Sequence, residues 1–133
     1  MSTSTIETER DAEMTDLRDR YLACWNETDS QARRALLAEH WAADAHYIDP
    51  LVDVQGVDEI DAVMAAAQEQ FPGFVFSPHG EVDAHHGVAR FGFAFGPAGS
   101  EPPILGFDVL ATDESGRIES VVGFLDRVPA QQS

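Results

Sequence analysis

The sequence predicts an α+β fold: a curved, cone-shaped sheet of mixed or antiparallel strands wrapped around three helices, in the order α-α-β-α-β-β-β-β, with an internal pocket. Three observations lead there. Before Phe71 the apolar residues recur at helical spacing in three segments, and from Phe74 onward the period drops to two. The stretch from Gly106 to Asp126 holds two strand-like runs flanking an Asp-Glu-Ser-Gly turn, the sequence form of a β-hairpin. Helices gathered in one half of a chain and sequence-adjacent strands in the other describe a two-layer domain.

Taken in order, residues 1–8 are Ser/Thr-rich and acidic, with nothing to bury, and are expected as a disordered tail. From about Asp11 to Thr28, Met14, Leu17, Tyr21, Cys24 and Trp25 share one helical face. Asp29 or Ser30 then caps a shorter helix running through Leu36, Leu37 and His40. Trp41 to Pro50 alternates like a strand, and Pro50 ends it because proline cannot donate to a ladder. Val57 to Gln70 is helical, with Ile60, Val63, Met64 and Ala67 on one side and Asp58 placed to cap it or meet its dipole. Phe71-Pro72-Gly73 stops that helix. Phe74 to Ala84 reads as a long strand broken by a bulge or edge near Pro78 and Gly80. His85-His86-Gly87 is a turn, and Val88 to Phe95 places Phe91, Phe93 and Phe95 on a single face. A Gly/Pro-rich loop over 96–103 leads into the hairpin, and 128–133 is a tail, so 9–127 form a single domain.

The formal net charge of −16 excludes nucleic acid, whose phosphates require a basic surface, and anionic membranes on the same ground. Cys24 is the only cysteine, so no intrachain disulfide forms. No run approaches the roughly 18 apolar residues of a membrane span and the N-terminus has no apolar leader core, which makes a cytoplasmic location the simplest expectation. His79, His85 and His86 do not make a metal site, because neighbouring strand residues point to opposite faces; no metal and no cofactor are expected. His46 has the opposite parity to Asp49 and reads as a surface or interface residue. Cys24, on the apolar helix face without a base or cation beside it, reads as a small hydrophobe.

One residue breaks the pattern. Ile104, Gly106, Asp108 and Leu110 alternate onto one face, so Asp108 stands in an apolar row. Such an acid stays protonated or needs a partner, because desolvation penalises the charged form.

Several short stretches together resemble the nuclear transport factor 2-like superfamily, in particular its SnoaL-like polyketide cyclases and ketosteroid isomerases. They are Arg20-Tyr21-Leu22 with Trp25-Asn26, Trp41-Ala42-Ala43-Asp44-Ala45, Tyr47-Ile48-Asp49-Pro50 followed by Gly56, and Phe107-Asp108 with Ser115-Gly116-Arg117-Ile118. The likeness spans roughly residues 16–126. It implies that Asp49, in an Asp-Pro pair at a strand end, is a general base, and that Tyr21 and a neutral Asp108 form an oxyanion hole; a carboxylic acid kept neutral by an apolar site is the known device of ketosteroid isomerase. The chemistry implied is proton abstraction next to a carbonyl, with isomerisation or ring closure as the outcome.

Trp25, Met64, Phe91, Phe93, Leu110, Val121 and Leu125 are expected to line the pocket for a hydrophobic small molecule. The bland readings stand beside these: Tyr21 as a core tyrosine satisfied locally, Asp49 as a turn-former and Asp108 as a hydrogen-bonded structural acid. A non-catalytic module binding a hydrophobic ligand or a protein is the alternative function, since the superfamily holds both. Epoxide hydrolysis wants an arginine where Gly106 stands, and a His-based dehydratase wants a histidine with Asp49's parity, which His46 lacks. Ile118, Val122 and Phe124 are expected on the outer sheet face, where they suggest a homodimer.

Overall fold

Three helices lie against one face of a six-stranded sheet whose strands run in the order β2-β1-β6-β5-β4-β3. The computed structural model describes residues 3–129, with side chains from residue 12 onward. The elements are α1 (Thr3–Asn26), α2 (Ser30–His40), β1 (Trp41–Ile48), β2 (Asp53–Gln55), α3 (Val57–Gln70), β3 (Phe74–His85), β4 (Val88–Pro97), β5 (Ile104–Thr112) and β6 (Ile118–Arg127). Every strand pair is antiparallel except β1 with β6, which brings the first strand beside the last. That parallel pairing sets Ile48 opposite Val122 and carries the end of β1 into the middle of the sheet.

Local chemistry explains the boundaries. Asp29 caps α2 by accepting from the Ala32 amide at 2.8 Å. Helix α3 opens on Gly56, whose φ of 91° a side chain would resist. Asp58 lies in the first turn of α3 and, rather than capping it, pairs with Arg34 at 2.8 Å. The ladder between β3 and β4 shifts between His79 and Asp83, at the expected bulge, and His86 and Gly87 take the positive φ angles of a tight hairpin turn. The last turn is pinned by Asp113, whose Oδ1 accepts from the Ser115 and Arg117 amides and the Ser115 hydroxyl.

Four expectations change. The backbone of residues 3–8, read as an unstructured tail, is helical as part of α1; residues 1–2 and 130–133 lie outside the described residues. A short strand, β2, follows the Pro50 turn and pairs back on β1, being too brief to leave a pattern in sequence. Ile118, expected on the outer face, is fully buried and pairs with Trp41. The cause is the register shift at the start of β6, where Ala111 pairs with Ser120 but Thr112 with Ile118; one extra residue reverses the side on which Ile118 lands. Leu125 is 40% exposed, because burial along β6 ends at Gly123, before the strand does.

The core is aromatic. Tyr21 stacks on Trp41 with ring centres 5.7 Å apart and meets Phe91 edge-on at 5.5 Å, while Trp25 tilts against Tyr47 and Phe76. Beneath the helices lies a polar knot. Arg33, only 3% exposed, donates from Nε to Asp61 at 2.6 Å and from Nη1 to the Glu27 carbonyl and Gln68 Oε1. Gln68 in turn donates to the carbonyls of Trp25 and Glu27, so one network joins all three helices.

Candidate active site

Asp108 sits in the middle of β5, opposite Phe91 of β4 on one side and Gly123 of β6 on the other. It is 4% exposed, and with Arg33 it is one of two buried charged residues in the described structure. Burial raises its pKa to about 7, the nearby Tyr21 hydroxyl pulls the value down, and the charge of Asp49 pushes it up. No arginine or lysine offsets that carboxyl among the described salt bridges.

Tyr21 reaches the same point from α1. Its hydroxyl is driven well above the ordinary tyrosine range by burial first and by the Asp108 charge second, so it remains a proton donor at any physiological pH. Trp25, one turn further along α1, is 5% exposed with its indole Nε1 lacking a hydrogen-bond partner among the described residues, yet close enough to the Tyr21 hydroxyl to favour its ionised form. Buried N–H groups without partners are uncommon, and this one faces the polar centre.

Asp49 arrives from the end of β1. Its Oδ1 accepts from the Leu51 amide at 2.8 Å and the Val52 amide at 3.0 Å, an Asx-type turn that leads the chain into β2. Its Oδ2 accepts from the Tyr47 hydroxyl at 2.7 Å. A carboxylate offers about four lone-pair positions, so with three occupied the remaining one is on Oδ2. Thus the turn-forming role is real for one oxygen, while the other faces the buried tyrosine. Asp49 is also the half-buried member of the group, its route to solvent.

Tyr47 was not singled out in the sequence. It is 5% exposed, and its hydroxyl is held protonated by burial first, then by the nearby Asp108 and Asp49 charges. Its spacing of two from Asp49 is a legible signal, since residues i and i+2 of a strand share a face. Tyr21, Tyr47, Asp49 and Asp108 thus form one cluster assembled from α1, β1 and β5.

The expected lining is present, but as packed core. Trp25, Met64, Phe91, Phe93, Leu110 and Val121 all belong to one buried cluster, and Leu125 stands outside it. Two open cavities lie elsewhere. One, of about 530 Å³, is a groove between α1 and the two hairpin turns, bordered by Met14, Arg20, His86 and Thr112. Another, of about 240 Å³, lies on the side of the sheet carrying Arg90 and Phe107, and Phe91 is the single expected lining residue that touches either. Neither of these two cavities has Tyr21, Asp49 or Asp108 in its lining. Cys24 is fully buried with its thiol pushed up to about 11 by desolvation, which leaves it a core residue. His46 lies on the outer face against Asp53. Among the described residues no three His, Cys, Asp or Glu side chains converge as a metal site, and no helix is long and apolar enough to cross a membrane.

The sequence matches the family described as SnoaL-like domain over residues 19–121. A crystal structure from Agrobacterium tumefaciens strain C58, provisionally named an isomerase of the SnoaL-like family, is 36% identical, with 86% of this chain and 98% of that one covered and a TM-score of 0.83. Two more distant structures share the fold: a SnoaL-like protein of unknown function from Burkholderia thailandensis (16% identity, 86% and 95% covered, TM-score 0.69) and a protein from Sinorhizobium meliloti provisionally named a polyketide cyclase (21%, 84% and 97%, 0.65). No curated protein matches the sequence significantly.

Proposed function

This chain belongs to the SnoaL-like domain family, and from that premise we propose that it is a small-molecule enzyme of the isomerase or cyclase type, moving a proton next to a carbonyl. The observation that carries the reading is a nearly inaccessible carboxyl group, Asp108, held at a pKa of about 7 beside a buried tyrosine and a second acid. Structural acids are ordinarily ionised and paired; this one is poised to keep its proton and donate it in a hydrogen bond.

In the proposed step, Asp49 Oδ2 takes a proton from the carbon beside a ketone or ester carbonyl, and the electron pair of that C–H bond moves onto the carbonyl oxygen as an enolate. Tyr21 and neutral Asp108 donate hydrogen bonds to that oxygen, each well-placed donor contributing on the order of 3 to 4 kcal/mol to the transition state. The unpartnered Trp25 indole N–H, which acts on the Tyr21 hydroxyl, would be a further donor beside it. Return of the proton to another carbon completes an isomerisation; attack of the enolate carbon on a second carbonyl completes a ring closure. Because Asp108 must carry its proton, turnover falls as pH rises above about 7. The substrate is apolar and ring-shaped, matching the aromatic walls.

A second reading, a non-catalytic module of the same fold, is favoured by one observation: neither of the two cavities described above is lined by Tyr21, Asp49 or Asp108. Incubation with a β,γ-unsaturated ketone, followed by enone absorbance, separates the two. Turnover abolished by Asp49→Asn supports the enzyme; no turnover with steroid-like ketones or polyketide-like esters leaves the binding module. We further propose that the chain pairs with a second copy through the outer sheet face, where Phe124 and Val122 are exposed.

A further inference from the structure

We infer that Gly123 is a positioning residue whose missing side chain is what allows the Asp108 carboxyl to lie against Tyr21 and beside Asp49. Gly123 pairs directly with Asp108 across the β5–β6 ladder, and on its other flank β1 runs parallel with Ile48 opposite Val122, so Asp49 is its neighbour there. A Cβ at Gly123 would stand 2.7 Å from Asp108 Oδ1, 3.4 Å from Asp49 Cβ and 3.8 Å from the Ile48 carbonyl oxygen. The two acids therefore occupy opposite sides of one absent methyl group.

The backbone does not ask for this glycine. Six glycines of the chain have positive φ, and Gly123 is not among them. Within a strand, glycine is disfavoured relative to alanine by roughly 0.5–1 kcal/mol, so its use here opposes local stability. The only atom that a methyl group would overlap is the free end of the Asp108 side chain, the Asp49 and Ile48 contacts being close to ordinary van der Waals distance. Gly106, on the facing strand, behaves differently: its added Cβ would lie 2.3 Å from the Phe124 carbonyl oxygen and 2.7 Å from the Phe93 ring, contacts that the backbone cannot relieve. Gly106 is thus required by the fold, and Gly123 by the position of a carboxyl group.

The groups facing that carboxyl are Tyr21 from α1 and Tyr47 and Asp49 from β1. In Gly123→Ala the carboxyl must rotate off the Tyr21 hydroxyl while the sheet stays intact. The inference deepens the proposed function, yet its test needs no substrate. Carboxyl carbon NMR of the full chain follows Asp108 through a pH titration. Gly123→Ala is expected to move its midpoint by about one unit or more, and Tyr21→Phe, which shifts the midpoint in the parent, should no longer shift it in the variant. An unmoved midpoint in a folded Gly123→Ala protein overturns the proposal. If that variant is poorly folded, Asp108→Ala is added. Should the methyl group clash with the carboxyl alone, the double variant recovers the melting temperature of Asp108→Ala; a double variant as unstable as Gly123→Ala overturns the proposal. Where turnover has been found, Gly123→Ala is expected to lower it about 100-fold and to add nothing in an Asp108→Asn background.

Discussion

Asp108 offers the sharpest pH test of a single residue. Its unfolded value is 3.8 and its folded value about 7, so the folded state binds its proton more tightly. The stability this group contributes is fully present below 3.8 and is lost as pH rises through about 7, an amount on the order of 4 kcal/mol at most. Asp108→Asn, isosteric and never charged, should flatten that part of the curve. Urea unfolding of parent and variant between pH 4 and 8 reads the difference, and parallel curves would show that Asp108 has no raised proton affinity. The parity of Ile104, Gly106, Asp108 and Leu110 made this residue legible, because strand alternation needs no tertiary knowledge. Tyr47 carried the same kind of signal relative to Asp49, but a buried tyrosine on a strand is ordinary core until its hydroxyl is seen to meet a carboxylate. Gly123 carried none, since the reason for it lies on two other strands.

Among the elements, the helices depend on the knot around Arg33. An arginine 3% exposed, with donors engaged by Asp61, Gln68 and the Glu27 carbonyl, joins the end of α1 to α2 and α3. Removing one partner of a buried pair leaves the other charge uncompensated. Arg33→Ala is therefore expected to destabilise the fold by about 3–5 kcal/mol, measured by chemical denaturation, whereas Arg34→Ala, at the exposed neighbouring position, should leave the denaturation curve nearly unchanged. A cost for Arg33→Ala under about 1 kcal/mol would remove the knot from the account of stability. Periodicity placed α2 and α3 well, but nothing in the run SQARRALLAEH distinguishes Arg33 from Arg34. The strands show the matching limit: Ile118 changed faces because of one bulge residue, and a period-two count carries through a bulge without registering it.

At the scale of the molecule, the outer sheet face is apolar where a solvated face would be polar. Phe107 and Phe124 stack at 4.8 Å across β5 and β6, and Phe124 and Val122 remain 46% and 36% exposed. Light scattering at micromolar concentration is expected to give twice the chain mass, and Phe124→Asp to halve it; a monomeric parent would refute the pairing. With a net charge of −16 on each copy, association should strengthen with added salt, since screening weakens the repulsion.

Apart from the short β2 and the face of Ile118, the order of helices and strands, the face each turns inward and the isolation of one acid among apolar neighbours were determined by the sequence alone, because they follow from periodicity and local capping. Tertiary structure decided the rest: which groups meet Asp108, that Tyr47 and Gly123 share its site, and how the aromatic rings pack against one another. Those outcomes depend on register between strands distant in sequence and on how side-chain volumes fill the space, and neither is encoded within any one stretch of chain.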